Sequence, residues 1–314
     1  MKFIPHLIRK TKIYQLFRRT NFANDLRHLL WLRKIRLNHS GKIVLPTVRY
    51  FISKGCNLKC EYCVNFNPYR QGVVQAEDLF ASFRSWSEKI EPSALHLSGG
   101  EPFLHPSYEE IVQAVRLAWP NANIQIMTNG ILLPQLKNNF LEKLCEHRIK
   151  IVISRHLTGL EYAKSLDHSL ARLSEHLVDF DVLESCDLWN APYQLDGKGV
   201  PRPAKSNPKK SWRYCRSKYC TNITGNRMYT CAFLPNVHQS ILEGNLPNDW
   251  NQVLAHNGVS ADEPVESILR YLRSGFMKEC SVCLEKDSPV TSRQIPQATL
   301  HLVRKIIDDE KNAA

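Results

Sequence analysis

Cys56-Asn57-Leu58-Lys59-Cys60-Glu61-Tyr62-Cys63 is the stretch from which the rest of this 314-residue chain is read. Three thiols fall within eight positions, directly after a β-rich run at 48–53 and among residues suited to a loop. Close thiolate spacing lets one loop wrap a cuboid iron–sulfur cluster, and three ligands leave one iron of a four-iron cluster without a protein donor. On spacing alone, a zinc site or chance clustering competes with that reading. Outward from the loop, further short β-rich runs at 95–98, 124–128, 149–154 and, weakly, 178–183 alternate with amphipathic helical stretches. That alternation predicts βα units around a parallel sheet. Leu79, Phe83, Trp86 and Ile90 share one helical face between the first two runs, and Leu166, Leu170, Leu173 and Leu177 share another before the last. Ser107 followed by Glu110 reads as a capping box opening a helix that Pro120 stops after Trp119.

Composition sets the frame. The chain is 43% hydrophobic and 23% charged and has no apolar run near the ~20 residues a bilayer span needs, which excludes a disordered tail and a membrane-spanning protein. Lys plus Arg total 42 against 30 acidic residues, a net charge of +12, and the sum is unevenly placed. Residues 1–42 hold eleven basic side chains against the single acid Asp25, so +10 lies there. Ile4, Leu7, Ile8, Tyr14, Phe17, Leu26, Leu29, Leu30 and Trp31 interleave with those cations. The segment 1–45 therefore reads as a basic amphipathic helical extension that lies on an anionic inner membrane face or, equally, packs as a helix with a solvated basic side. Nucleic acid is the weaker partner, since charge without a binding module supports only nonspecific contact. Ten cysteines without a secretory leader point to a reducing compartment and a cytoplasmic protein.

One run after the cysteine loop stands Ser98-Gly99-Gly100-Glu101-Pro102. Adjacent glycines suit a strand end where backbone must bend sharply and approach a ligand closely. A three-cysteine loop after the first strand with this turn after the second resembles the radical S-adenosylmethionine superfamily. The resemblance implies an α/β fold, a partial (β/α)6 TIM-like barrel over 46–200, although only five strands are legible. It also implies a [4Fe–4S] cluster on Cys56, Cys60 and Cys63 whose open iron chelates the amino and carboxylate groups of S-adenosylmethionine. Tyr62 would lie against the adenine, and Gly99, Gly100 and Glu101 would receive the methionine amine. Thr128 and Asn129 after the third run, and Ser154 and Arg155 after the fourth, would offer hydroxyl and cationic groups to the ribose or carboxylate. Ligand groups at the C-terminal ends of parallel strands are what a barrel enzyme shows. Taken separately, Asn129-Gly130 reads equally as a turn and Arg155 as a solvated charge.

From 187 to 212 the pattern dissolves into Pro, Gly, Lys and Arg around Trp189, Tyr193, Lys205, Lys209 and Lys210, which predicts a linker or long loop and a domain boundary. Beyond it come Cys215, Cys220, Cys231 and the chelating pair Cys280-Ser-Val-Cys283, with fifteen residues between Cys215 and Cys231 and forty-eight more before Cys280. This set resembles the auxiliary-cluster "twitch" domain, a shortened SPASM domain, and its pattern is similar to that of a superfamily member that dehydrogenates an aminocyclitol. The resemblance implies a domain at 201–290 with a second [4Fe–4S] cluster on Cys215, Cys231, Cys280 and Cys283. Cys220 is left as an alternative ligand or a thiol near the substrate, and a structural zinc suits four thiolates equally on coordination grounds. Residues 291–314 read as a C-terminal helix, Cys145 as a core residue, and Cys186 as a strand end with no second signal.

The resemblance implies an oxidoreductase: a 5′-deoxyadenosyl radical takes hydrogen from a sugar, aminocyclitol or glycolipid-type substrate, and the auxiliary cluster receives the second electron. Epimerisation with Cys220 as catalytic hydrogen donor is the rival, and peptide modification a third reading. From a different class stands a zinc-stapled binding protein. The implied partners are S-adenosylmethionine, a small or lipid-linked saccharide, and a flavodoxin or ferredoxin as electron donor.

Overall fold

Val-Arg-Tyr-Phe-Ile-Ser has the β-branched and aromatic content of a strand, and in the structure it lies in the interior of the main sheet. The computed structural model describes residues 20–184, 189–215, 217–285, 289–290, 295 and 297–312. The elements that position the site are, in order, α1 (Asn21–Lys34), β1 (Val48–Ser53), α2 (Ala76–Lys89), β2 (Ala94–Gly99), α3 (Tyr108–Ala118), β3 (Asn123–Thr128), α4 (Asn138–Glu146), β4 (Lys150–Arg155), α5 (Leu160–Glu175) and β5 (Phe180–Glu184). Then follow α6 (Pro208–Tyr214), β6 (Thr221–Thr224), β7 (Arg227–Tyr229), α7 (Leu234–Leu242), β8 (Val259–Ser260), α8 (Val265–Leu272) and α9 (Gln297–Asn312).

The eight strands form one sheet in the order β8-β7-β6-β1-β2-β3-β4-β5. From β6 to β5 all six neighbours run parallel, and β7 and β8 add antiparallel at one edge. The fold is α/β with an open parallel sheet of partial-barrel type; the described strands do not close it. The sixth parallel strand is β6, and it joins beside β1 from the C-terminal half of the chain instead of following β5. Strands alternate side chains between faces. Val48, Tyr50, Ile52, Leu95, Leu97, Ile124, Ile126, Ile151, Ile153 and Ile223 turn to one side and are buried there under the apolar stripes of α2 to α5. Trp86 and Phe83 of α2 and Phe140 of α4 are fully covered, each contributing about 1.5–3 kcal/mol of apolar burial.

Several expectations are corrected. Ser107 does precede α3, but its side chain makes no capping bond; its backbone N–H donates instead to His105 Nδ1 at 3.0 Å. Leu177 leaves the α5 stripe because the helix ends at Glu175, and Leu177 takes a left-handed φ of 55° that turns it into solvent at 79% exposure. The composition of 187–212 predicts a linker, yet Gln194–Leu195 and Pro201–Arg202 pair as a hairpin. Tyr193 and Val200 are buried there in a second core with Phe66, Tyr69, Phe233 and Trp250. Two apolar anchors outweigh the Gly and Pro content, and the indole of Trp250 donates to the Pro201 carbonyl at 3.0 Å. The expected division between 200 and 201 thus falls inside one hairpin.

Helix α1 packs on α6, where the His28 ring meets Trp212 edge-on, and buries Ala23, Asn24 and Trp31, leaving Phe22, Leu26 and Leu29 exposed. Ile4, Leu7, Ile8, Tyr14, Phe17 and Cys186 lie outside the described residues. Among the described residues no helix is long and apolar enough to cross a membrane. Helix α9 seats Val303 in the second core, and its Arg304 guanidinium donates to the Pro68 carbonyl at 3.2 Å. Just ahead of it, the Ile295 N–H donates to the Lys59 carbonyl, inside the cysteine loop, at 2.6 Å.

Candidate active site

Strand β1 runs out at Ser53, and the chain is held there by two N–H groups, of Lys54 and Gly55, on the Gly72 carbonyl. Gly99 ends β2 with φ 134°, a conformation L side chains rarely adopt. A Cβ on Gly99 would collide with the Ser53 carbonyl, and one on Gly100 with the Gly55 carbonyl. That crowding is the price of two direct stitches: Gly100 N–H donates to Ser53 O at 2.8 Å and Glu101 N–H to Gly55 O at 2.9 Å. On the far side the Asn65 amide donates to the Gly99 carbonyl. The glycine turn and the cysteine loop are therefore one rigid unit.

Glu101 extends the unit to β3. Its carboxylate accepts from the Thr128 hydroxyl at 2.7 Å, the Asn129 N–H at 2.9 Å and the Phe103 N–H at 3.3 Å. Burial pushes its pKa up to about 7 against the pull of those donors. The Asn129 amide donates to Asn57 Oδ1 at 2.7 Å and reaches Cys56 Sγ at 3.7 Å, while the Tyr162 hydroxyl fixes the Asn129 carbonyl at 2.8 Å. Cys56, Cys60, Cys63, Gly99, Gly100, Glu101, Thr128 and Asn129 are thus brought together at the C-terminal ends of β1, β2 and β3. Ser154 and Arg155 end β4 half-buried, outside the described bonds to Glu101. Tyr62 takes φ 57° and packs toward the second core, its ring 5.8 Å from Tyr193. Asn57, Asn65 and Tyr162 escaped the sequence reading. Asn57 stood in the loop as a visible polar neighbour, but the partners of Asn65 and Tyr162 come only with the fold.

The three thiols gather with Leu58, Ile131 and Leu157 in a small apolar knot. Burial raises Cys56 to about 11 and Cys63 to about 12, so thiolates persist here only beside compensating positive charge. The Leu58 N–H already points at Cys56 Sγ at 3.4 Å. Three thiols offered by one loop suit a four-iron cluster with one iron left open.

The second set shares these properties. Cys215, Cys231, Cys280 and Cys283 line one cavity of about 130 Å³ walled by Val64, Phe233 and Leu234. Burial drives all four thiols upward, Cys280 to about 12. The N–H groups of Ser217, Phe233 and Leu234 are aimed at Cys215 and Cys231 sulfurs at 3.4–3.5 Å. Cys220 is not part of that lining; it precedes β6, where burial raises its thiol and the nearby Arg49 charge opposes the rise. Helix α1 closes the flank, its Asn24 amide donating to the Cys215 carbonyl at 2.7 Å. All nine described cysteines are free of disulfides.

Fold and site together define an α/β protein with three buried or half-buried thiols and a glycine turn gathered at the C-terminal ends of parallel strands. Residues 50–160 match the family described as Radical SAM superfamily, a match that supports a [4Fe–4S] cluster and S-adenosylmethionine as cofactors. Among curated relatives, "GTP 3′,8-cyclase" of Aquifex aeolicus (strain VF5) is 29% identical over 138 residues, 42% of this chain and 41% of the relative. The protein of the same name from Lactiplantibacillus plantarum is 24% identical over 303 residues, 84% of this chain and 87% of the relative. The match thus spans about two fifths of the first relative and most of the second. Among solved structures, BtrN in complex with AdoMet and 2-DOIA is 16% identical, with 75% of this chain and 83% of that one covered and a TM-score of 0.41. Native anSMEcpe with bound AdoMet is 20% identical over 44% of each chain, with a TM-score of 0.35.

Proposed function

We propose that this radical SAM enzyme oxidises a sugar, aminocyclitol or glycolipid-type substrate, with Cys215, Cys231, Cys280 and Cys283 holding a second [4Fe–4S] cluster. The observation that carries the reading is the single dry cavity shared by those four sulfurs, with Cys220 outside it. When bound, the cofactors supply a carbon radical that takes hydrogen from an unactivated carbon and a sink for the electron left behind. The substrate alcohol then loses one hydrogen atom, one proton and one electron and becomes a carbonyl.

The chain's own residues bind and orient. Cys56, Cys60 and Cys63 hold the first cluster, and the turn at Gly99 and Gly100, packed directly on the cysteine loop, receives the methionine end of S-adenosylmethionine. The Glu101 carboxylate faces the cationic amine. Thr128, Asn129, Ser154 and Arg155 receive ribose and carboxylate, and Tyr62 the adenine. Leu58, Ile131 and Leu157 keep water from the sulfurs. Exposed Phe22, Leu26 and Leu29 beside Arg33 and Lys34 support contact with an anionic membrane surface.

A second reading, epimerisation, is favoured by Cys220 standing apart from the four-sulfur cavity, where its thiol could return hydrogen to the opposite face. Anaerobic incubation of the reduced protein with S-adenosylmethionine and candidate substrates, GTP among them because the relatives bear its name, tests both. Formation of 5′-deoxyadenosine with a metabolite two mass units lighter supports oxidation. Solvent deuterium fixed at a carbon centre supports epimerisation. Colourless protein that carries zinc and makes no deoxyadenosine overturns both.

A further inference from the structure

The sheet has a second face, and its chemistry is unlike the first. In register, Asn222 of β6 pairs with Arg49 of β1, Arg49 with His96 of β2, His96 with Gln125 of β3, and Gln125 with Lys150 of β4. Five adjacent strands thus present a polar side chain at one level. The residues flanking them on β1 to β4, and Ile223 on β6, are in the apolar core, so these five project to the opposite side. Sheets buried on both faces carry apolar runs, and neighbouring strands lie only ~4.8 Å apart, so the row is a continuous polar floor.

Internal pairing satisfies one end of this row and not the other. Lys150 is neutralised by Asp179 at 3.2 Å and Asp181 at 3.0 Å. Arg49 is half-buried and makes no hydrogen bond or ion pair among the described residues. Beside it Asn222 is completely buried; its amide N–H donates to the Cys220 carbonyl at 3.1 Å, but its Oδ1 has no partner among the described residues. A buried acceptor without a partner is costly, and an unpaired guanidinium is a ready fork for an oxyanion. Burial and the Arg49 charge push the His96 ring down to about 4, which keeps it a neutral hydrogen-bonding group.

We propose that this row is the substrate floor and takes a small polyhydroxylated anion, whose carboxylate or phosphate sits on Arg49 and whose hydroxyl groups pair with His96 and Gln125, with buried Asn222 backing Arg49. The substrate role rests on the reading under Proposed function; the binding site does not. Calorimetric titration of the unreduced holoenzyme with gluconate, glucose 6-phosphate and neutral glucose tests it. At least one charged sugar binds once per chain, and glucose binds at least tenfold more weakly. Binding of gluconate alone identifies a carboxylate site, of glucose 6-phosphate alone a phosphate site, and of both a shared oxyanion site. Arg49→Gln weakens binding at least tenfold, Asn222→Asp weakens it by placing a like charge beside the anion, and Arg49→Lys retains part of it through the kept charge. Lys143→Gln, on the outer helix α4, leaves it unchanged. The proposal is overturned if neither charged sugar binds the wild-type protein, or if binding ignores both Arg49→Gln and Asn222→Asp. Loss of 5′-deoxyadenosine formation with anion binding intact would instead remove the radical reading and leave the floor standing.

Discussion

At Gly100 one added methyl group would overlap the Gly55 carbonyl, and neither backbone segment can yield without breaking the stitches that join the glycine turn to the cysteine loop. Gly100→Ala is expected to destabilise the protein by about 2–3 kcal/mol in urea titration and to abolish 5′-deoxyadenosine formation. Glu101 gives the site its pH dependence. Burial lifts the carboxyl from its ordinary 4.5 to about 7, so in this pH range the folded state keeps a proton that the unfolded chain releases. Stability is therefore greatest below 4.5, falls by something on the order of 3 kcal/mol as pH rises to about 7, and levels beyond. Glu101→Gln flattens that slope, which urea midpoints between pH 4.5 and 8 will show. At this scale the sequence is legible where chemistry is local. Three cysteines in eight positions and two adjacent glycines speak for themselves, whereas Asn65 and Tyr162 find their partners 34 and 33 residues away and cannot be singled out from spacing.

Among elements, β1, β3, β4 and β5 were legible as β-branched or aromatic runs, and β2 as Leu95 and Leu97 alternating with polar residues ahead of a glycine turn. Strand β6 was not, since Thr-Asn-Ile-Thr offers a single apolar side chain and sits in a cysteine-punctuated stretch without periodicity. The hairpin at 194–202 hid behind its Gly and Pro content for the same reason: tertiary burial of Tyr193 and Val200, not local propensity, holds it. Helix α9 was legible as a helix, but its task was not. It and the preceding Ile295 grip the cysteine loop at the Lys59 and Pro68 carbonyls. Deletion of 295–312 is expected to leave the sheet folded while a chelator strips iron from the protein several-fold faster, and Arg304→Ala gives a smaller change in the same direction. The Arg202 Nη2, shared between both Glu310 carboxylate oxygens at 2.7 and 2.8 Å, also ties this helix down; the carboxylate being exposed, the pair adds at most about 1 kcal/mol.

For the whole molecule, the decisive quantity is how many iron atoms the chain carries. Two four-iron clusters require about eight per chain. Cys283→Ala should reduce the content to about four by iron analysis and remove the second cluster's signal from low-temperature EPR, with the first cluster's signal retained. The two sites were separately readable as cysteine groups. That β6 joins the two halves of the chain into one sheet was not, because a parallel pairing between residues 48 and 221 leaves no mark on either neighbourhood. For the same reason the polar floor was invisible: Arg49, His96, Gln125, Lys150 and Asn222 are unremarkable singly, and only strand register sets them side by side.

The grip of Arg304 on the Pro68 carbonyl spans 236 residues of chain. On a ribosome adding about 5–20 residues per second, the cysteine loop emerges on the order of 10–50 s before the latch that will hold it. For that interval the thiols stand open to the machinery that delivers iron and sulfide. The latch can close only after that interval, once the last helix has left the ribosome.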